Sequence, residues 1–318
     1  GETRYAALTD ILGPEDALPA GGDLPRVLAR AMQALARLAR SQGSFDAAQA
    51  AAGEALRRWT ALGDRSGRGQ ALLLLASIAY TQEDYAGARR MQEEALALAR
   101  EAGDSLLETS ALLGLGNVAM EQEEWERAWT LFGECLELYR AADNRVLIAA
   151  TLNNMGLIAR YRGDYDAAKR LLEEDLEICR ALGSRSHTAV SLLNLGTVQR
   201  LRGDLAAAGD ALRQATELAR AVDDRRALAW CLKESGHLAA ARGDYPAAVR
   251  LLAASENQRR ALGMTFKPAD PEALETDRDR ARAALGRAAF EALWTEGETL
   301  PLPAACAEAL TSAKAPKS

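Results

Sequence analysis

Aromatic residues are scarce in this 318-residue chain, where Phe, Trp and Tyr together make up 5%. The hydrophobic share of 48% therefore comes mostly from Ala and Leu, a composition that points to an all-helical protein. Proline is also rare, and its nine residues cluster near the two ends, so the long middle can be helical throughout. The two histidines, His187 and His237, are too few for an ordinary zinc site. The four cysteines, Cys135, Cys179, Cys231 and Cys306, are far apart and form no CxxC, so they read as reduced thiols packed as small hydrophobes. No metal site and no cofactor is expected. No long basic run occurs, Lys and Arg alternate with Asp and Glu, and the net charge is −6, which argues against direct nucleic-acid binding. No apolar run is long enough to span a bilayer and no signal peptide is recognisable, so we expect no membrane partner and a cytoplasmic location. The start at Gly1 rather than Met suggests a piece of a longer protein.

What the chain does have is a repeat. The stretches GSFDAA at Gly43, EDYAGA at Glu83, EEWERA at Glu123, GDYDAA at Gly163, GDLAAA at Gly203 and GDYPAA at Gly243 begin 40 residues apart. A second series of turn signals falls halfway between them: Gly63-Asp64, Gly103-Asp104, Asp143-Asn144, Gly183-Ser184, Asp223-Asp224 and Gly263. Two turns per 40 residues leave two helices per repeat, hence six helix pairs over residues 24–263. Gly163 suits the left-handed residue that ends a helix, and Asp164 can cap the next. Arg100, Arg140, Arg180, Arg220 and Arg260 recur at the end of the second helix, where a cation complements the helix C-terminus.

The first helix of each pair, A, carries one core face: Leu72, Leu75, Ala76 and Ala79; Leu112, Leu115, Gly116 and Ala119; Leu152, Met155, Gly156 and Ala159; Leu192, Leu195, Gly196 and Gln199. The second, B, places a small residue early: Ala48, Ala88, Ala128, Ala168, Ala208 and Ala248. We expect small residues to meet small ones, so that Gly156 admits its partner helix.

A Leu-Gly pair in helix A, an aromatic residue or Leu nine positions after the Gly (Trp125, Tyr165, Leu205, Tyr245) and an Ala twelve after it resemble the tetratricopeptide repeat. The period differs from the family's usual 34, and arginine stands where the family closes on proline. This 40-residue variant is similar to the repeat domains of bacterial STAND ATPases and of LuxR-type and maltose-activator-type transcription regulators. The resemblance implies an all-α, right-handed superhelical solenoid and a non-enzymatic protein-interaction or sensor module of a larger bacterial regulator. Flanking ATPase or DNA-binding parts would then lie elsewhere, since no GxxxxGK[ST] segment is present. The alternatives are a small-molecule effector receptor and a self-associating, homo-oligomeric scaffold.

At the ends, residues 1–23 read as a partial repeat helix with a linker, and residues 264–313 as capping helices anchored by Phe290, Leu293 and Trp294. Residues 314–318 read as a tail. The carboxylate runs Glu93-Glu94 and Glu173-Glu174-Asp175 read as a solvated outer face of helix B. Ser191 and His187 lie one helical turn apart with no acid near them in sequence, which is no catalytic triad.

In the resembled family helix A lines the concave side. Counted from the core stripe, the inward positions include Asn117 in the third repeat and Asn153, Asn154, Arg160 and Tyr161 in the fourth. Asn194 and Arg200 follow in the fifth, and Trp230, Lys233 and His237 in the sixth. Family members use Asn and Lys at such positions to hold a peptide, although the paired lysines of the chaperone-tail clamp are missing here. Amides donate and accept toward an extended backbone, and they can equally bind the neighbouring repeat and fix the stacking. Both roles stay open, as does the choice for Trp230 and Tyr161 between lining a groove and half-buried packing.

Overall fold

The computed structural model describes residues 24–264 and 271–313, so the readings placed on residues 1–23 and 314–318 lie outside the described residues. Fifteen α-helices and no strand occur among the described residues. The chain divides between Asn144 and Arg145 into two compact units. The first holds α1 (Leu24–Ser41), α2 (Phe45–Ala61), α3 (Arg65–Thr81), α4 (Tyr85–Ala102), α5 (Ser105–Glu121) and α6 (Trp125–Ala141). The second holds α7 (Arg145–Tyr161), α8 (Tyr165–Ala181), α9 (Arg185–Leu201), α10 (Leu205–Ala221), α11 (Arg225–Ala241) and α12 (Tyr245–Ala261). It continues with α13 (Pro271–Leu285), α14 (Arg287–Thr299) and α15 (Leu302–Ser312). Within each unit consecutive repeat helices pack against each other, and alternate A helices also touch, α1 on α3 and α3 on α5, then α7 on α9 and α9 on α11.

The turns recur every 20 residues for a local reason. One residue in each adopts the left-handed conformation: Gly163 has φ 77°, and Asp164 then accepts from the amide of Ala167 at 2.9 Å, opening α8. The same side-chain cap opens α3, α4, α5, α10, α11 and α12. At four turns an acidic residue holds the left-handed position instead: Glu83, Glu123, Asp143 and Asp223.

Packing inside a pair corrects the small-against-small expectation. Ala128, Ala168, Ala208 and Ala248 are fully buried, but the glycines of helix A face the bulky residue one turn further along helix B. A Cβ at Gly156 would stand 2.8 Å from Leu172 Cγ. Gly116 faces Phe132, Gly196 faces Leu212 and Gly236 faces Leu252 in the same way. The missing side chain thus makes room for a large one, which fills the pair interior at near-crystalline density. In the first pair both positions are alanine, Ala36 and Ala52, and share one cluster.

The helices after residue 264 do not extend the rhythm. Phe290, Leu293 and Trp294 of α14 gather with Val249 and Tyr245 of α12 and Ala281 of α13. The last helix, α15, folds back over α10, α11 and α12. Cys306 joins Ala189, Ala219, Ala227 and Leu228, while Arg250 grips Glu308 at 2.6 Å. Arg242 donates to the carbonyls of Ser312 and Leu205, both at 2.6 Å, tying the end of α15 to the start of α10.

Candidate functional site

The A helices of the second unit, α7, α9 and α11, lie side by side with α9 in the middle. Their core faces are apolar, and the polar residues singled out from the sequence flank that stripe. Asn153, Asn154, Arg160, Tyr161, Asn194, Arg200 and Trp230 are half-buried, whereas Lys233, Glu234 and His237 are only 3%, 6% and 2% exposed.

Two of the asparagines bind within the stack. Asn153 Nδ2 donates to Asp175 Oδ2 at 3.0 Å, and Asn194 Nδ2 donates to Asn153 Oδ1 at 3.3 Å, a bond between neighbouring helix pairs. Asp175 corrects the reading of its carboxylate run as a solvated face. It is 2% exposed, accepts from Asn153 and also holds Cys179 Sγ at 3.2 Å. A buried carboxylate needs such donors, because its desolvation is otherwise uncompensated. Burial first, and then the neighbouring Asp175 charge, push the Cys179 thiol up to about 11. Glu93 and Glu94 are exposed as expected.

Around α11 the charges are concentrated. Arg200 Nη2 pairs with Glu234 Oε2 at 3.1 Å. Burial works against the ionised Glu234, but the positive charges of Arg200, His237, Lys233 and Arg160 overcome it and hold the carboxyl at about 2. Lys233 Nζ sits 4.9 Å from the centre of the Trp230 ring, and the Arg160 guanidinium 4.6 Å from that of Tyr161. His237 Nδ1 lies 2.7 Å from Asp277 Oδ2, a residue of α13. The Nε atoms of Arg160 and Arg200 are buried without an acceptor among the described residues.

The fold therefore brings Arg160, Arg200, Lys233 and His237 to one carboxylate, Glu234, and links Asn153 with Asn194. Asn154 remains half-buried beside them. Asn117 is half-buried on α5 in the first unit. Neither Asp175 nor Asp277 is among the inward positions expected from the sequence, and Glu234 is not marked there as the carboxylate that gathers the cations. For Glu234 a signal exists: Arg200 and Glu234 are 34 residues apart, the spacing that also links Arg100 to Glu134 and Arg180 to Gln214 across pairs. For Asp277 no signal exists, because α13 stands outside the repeat. His187 Nδ1 lies 2.7 Å from Ser184 Oγ and Ser191 donates to the carbonyl of His187, so these two side chains close the start of α9 instead of facing each other. No group of three or more His, Cys, Asp and Glu able to hold a metal ion occurs among the described residues. No described helix is long and apolar enough to cross a membrane.

A stack of two-helix units with polar side chains presented from successive first helices defines an α-helical repeat protein. The tetratricopeptide repeat model matches residues 27–101, 107–181, 147–221 and 187–261, and the chain belongs to the tetratricopeptide repeat family. No curated protein matches the sequence. Among solved structures, BtubC (BKLC) from P. vanneervenii is 23% identical, with TM-score 0.62 over 70% of this chain and 92% of that one. A Rap protein complexed with competence and sporulation factor is 14% identical, with TM-score 0.63 over 94% and 80%. The STAND signal-transduction ATPase with a tetratricopeptide repeat sensor from Pyrococcus horikoshii is 17% identical, with TM-score 0.60. That match covers 93% of this chain and 48% of the ATPase. These likenesses concern the fold.

Proposed function

We propose that the chain is a non-enzymatic interaction module that holds a peptide or protein segment against the A-helix face of its second unit. One observation carries the reading. Asn154, Arg160 and Tyr161 on α7 and Trp230 on α11 are half-buried on the A-helix face that also carries the stack-fastening pair Asn153 and Asn194. The stack is thus fastened by one pair of amides, and other polar and aromatic groups keep partly exposed surface beside it. Asn154 can give and receive hydrogen bonds along an extended backbone, and Tyr161 and Trp230 offer flat amphipathic surface.

The binding event serves a larger regulator in this reading, with the segment's arrival biasing a linked part of the same protein. The family relationship and the shared fold with a sensor-bearing STAND ATPase support that placement. The test is capture on the immobilised chain, compared with Asn154→Ala and Arg160→Ala. A genuine partner is lost or weakened by one or both changes. Equal retention by all three proteins removes this face as the binding surface. Sequencing the complete gene product tests the regulator setting, which a lone repeat protein would contradict.

A further inference from the structure

We propose that the outer face of α1 is the docking surface of the chain's own residues 5–12. They supply the covering helix that α3, α5, α9 and α11 each receive from the repeat before it. The surface belongs to the first unit, and its partner is intramolecular.

The repeat register identifies the face. Val27, Ala31, Ala34 and Leu38 recur at steps of four and three and form one apolar stripe along α1. All four are exposed, Val27 at 53% and Leu38 at 54%. Forty residues on, α3 carries Gly67, Ala71, Leu74 and Ile78 at the same positions, and all four are buried. In α11 the set is Ala227, Cys231, Glu234 and Leu238, again all buried. The helix that covers the α3 set is α2, the B helix of the preceding pair. Leu74 and Ile78 cluster with Ala48, Ala51 and Ala52, and Ala71 with Ala55 and Trp59. The Trp59 ring also closes on Gly67. No described helix precedes α1. Its stripe is therefore apolar where a terminal repeat needs a polar outer face.

The sequence before Leu24 fits that stripe. The B helices open at Phe45, Tyr85, Trp125, Tyr165, Leu205 and Tyr245, and the same step back from Phe45 lands on Tyr5. Leu8, Ile11 and Leu12 then take the places of Ala48, Ala51 and Ala52, which cover Leu74 and Ile78. The same subtraction sets Leu8 and Leu12 against Leu38 and Ala34. Ala52 and Leu74 share one cluster, and Leu12 and Ala34 carry the same two sizes exchanged, so the volume is kept. Gly13-Pro14 closes the segment. Leu38 stands about 21 Å from Leu24 along α1, and residues 13–23 reach about 36 Å when extended, so the chain can return.

Charge selects this occupant over a second copy. Arg26, Arg30, Arg37 and Arg40 are exposed on α1, which has no acid. Residues 1–23 hold Glu2, Asp10, Glu15, Asp16 and Asp23 against the single base Arg4. Two α1 faces brought together would instead oppose arginine to arginine. The last repeat is closed on the same scheme by the chain's own later residues. Phe290 and Trp294 of α14 gather on Val249 of α12, and Arg260 pairs with Glu298 at 2.6 Å.

The experiment introduces thiol pairs into the full chain, Leu8→Cys with Leu38→Cys and Leu12→Cys with Ala34→Cys. The four native cysteines are buried and do not compete. Mild oxidation should close a disulfide within one chain in either pair. The rate should exceed that of Leu8→Cys with Arg40→Cys by about tenfold or more, since Arg40 is exposed on another side of α1 at nearly the same loop length. In an otherwise native chain, Leu8→Asp should speed amide exchange over residues 31–38 by about tenfold or more. Exchange in α9 should stay unchanged, which separates undocking from misfolding. Equal oxidation rates for the Leu38 and Arg40 pairs overturn the inference, as does native exchange over residues 31–38 in Leu8→Asp. Disulfides that join two chains overturn it in favour of a second copy.

Discussion

Replacing Glu234 should destabilise the second unit more than replacing the arginine it pairs with. Glu234 is buried, and four groups that carry or can carry positive charge act on it, Arg200, His237, Lys233 and Arg160. Arg200 has one carboxylate partner, at 3.1 Å. In Glu234→Gln the buried Lys233 and the half-buried Arg200 and Arg160 lose their counter-charge together, a loss of roughly 3–5 kcal/mol by the cost of breaking a buried pair. In Arg200→Met, Glu234 keeps Lys233 nearby and the methionine refills the volume, so about 1–3 kcal/mol is expected. The double variant should cost less than the sum by about 1 kcal/mol or more, the coupling typical of contacting groups. The pH dependence has a defined sign. The folded carboxyl is held at about 2 against an ordinary 4.5, so its contribution is fully present above 4.5 and fades as pH falls toward 2. That depression corresponds to roughly 3 kcal/mol, and Glu234→Gln should flatten this part of the profile. Urea unfolding followed by circular dichroism measures all three variants across pH 2–6. Equal costs for the two single variants, or an unchanged acid profile in Glu234→Gln, would refute the reasoning.

Gly156→Ala places a Cβ 2.8 Å from Leu172 Cγ and should cost about 1–2 kcal/mol despite the better helix propensity of alanine. In a Leu172→Ala background the same change should become stabilising, and denaturant melts of the four proteins decide this. Glu123, at φ 58°, carries left-handed strain, so Glu123→Gly should stabilise the first unit by about 0.5–1 kcal/mol, visible as a higher urea midpoint. Burial pushes the Cys135 and Cys231 thiols up to about 12, so neither should react with a thiol-exchange dye in the native protein at pH 8. Rapid labelling of either, before unfolding, would contradict their packing.

Much of the fold was legible because the signals are local. A left-handed residue and a capping aspartate are chosen by a few neighbouring atoms, so Gly163-Asp164 announces the α8 start without help from the rest of the chain. Arg100 and its periodic counterparts mark helix ends for the same reason. The apolar spacing of helix A gave its core face, since a helix turns at a fixed rate. The partner of Gly156 was less legible. A missing side chain shows in sequence as a gap, but whether an alanine or a leucine enters the gap depends on the axial offset of the two helices.

The polar face was harder still. Asn153 and Asn154 are adjacent, alike in sequence and both half-buried, yet it is the first that bonds to Asp175 and Asn194. A rotation of about 100° along the helix separates their directions, and only the packed neighbour determines which one meets it. Asp175 sits in a run that looks solvated, but its place in the helical turn aims it inward. The period of 40 residues and the ends of the repeat helices were determined by the sequence alone, because short-range sterics and hydrogen bonds fix them. Tertiary structure alone decided which amides fasten the stack, which carboxylate gathers the cations, and that α13 and α15 return onto the last repeats. Those outcomes depend on distances between residues far apart in the chain, which no local pattern encodes.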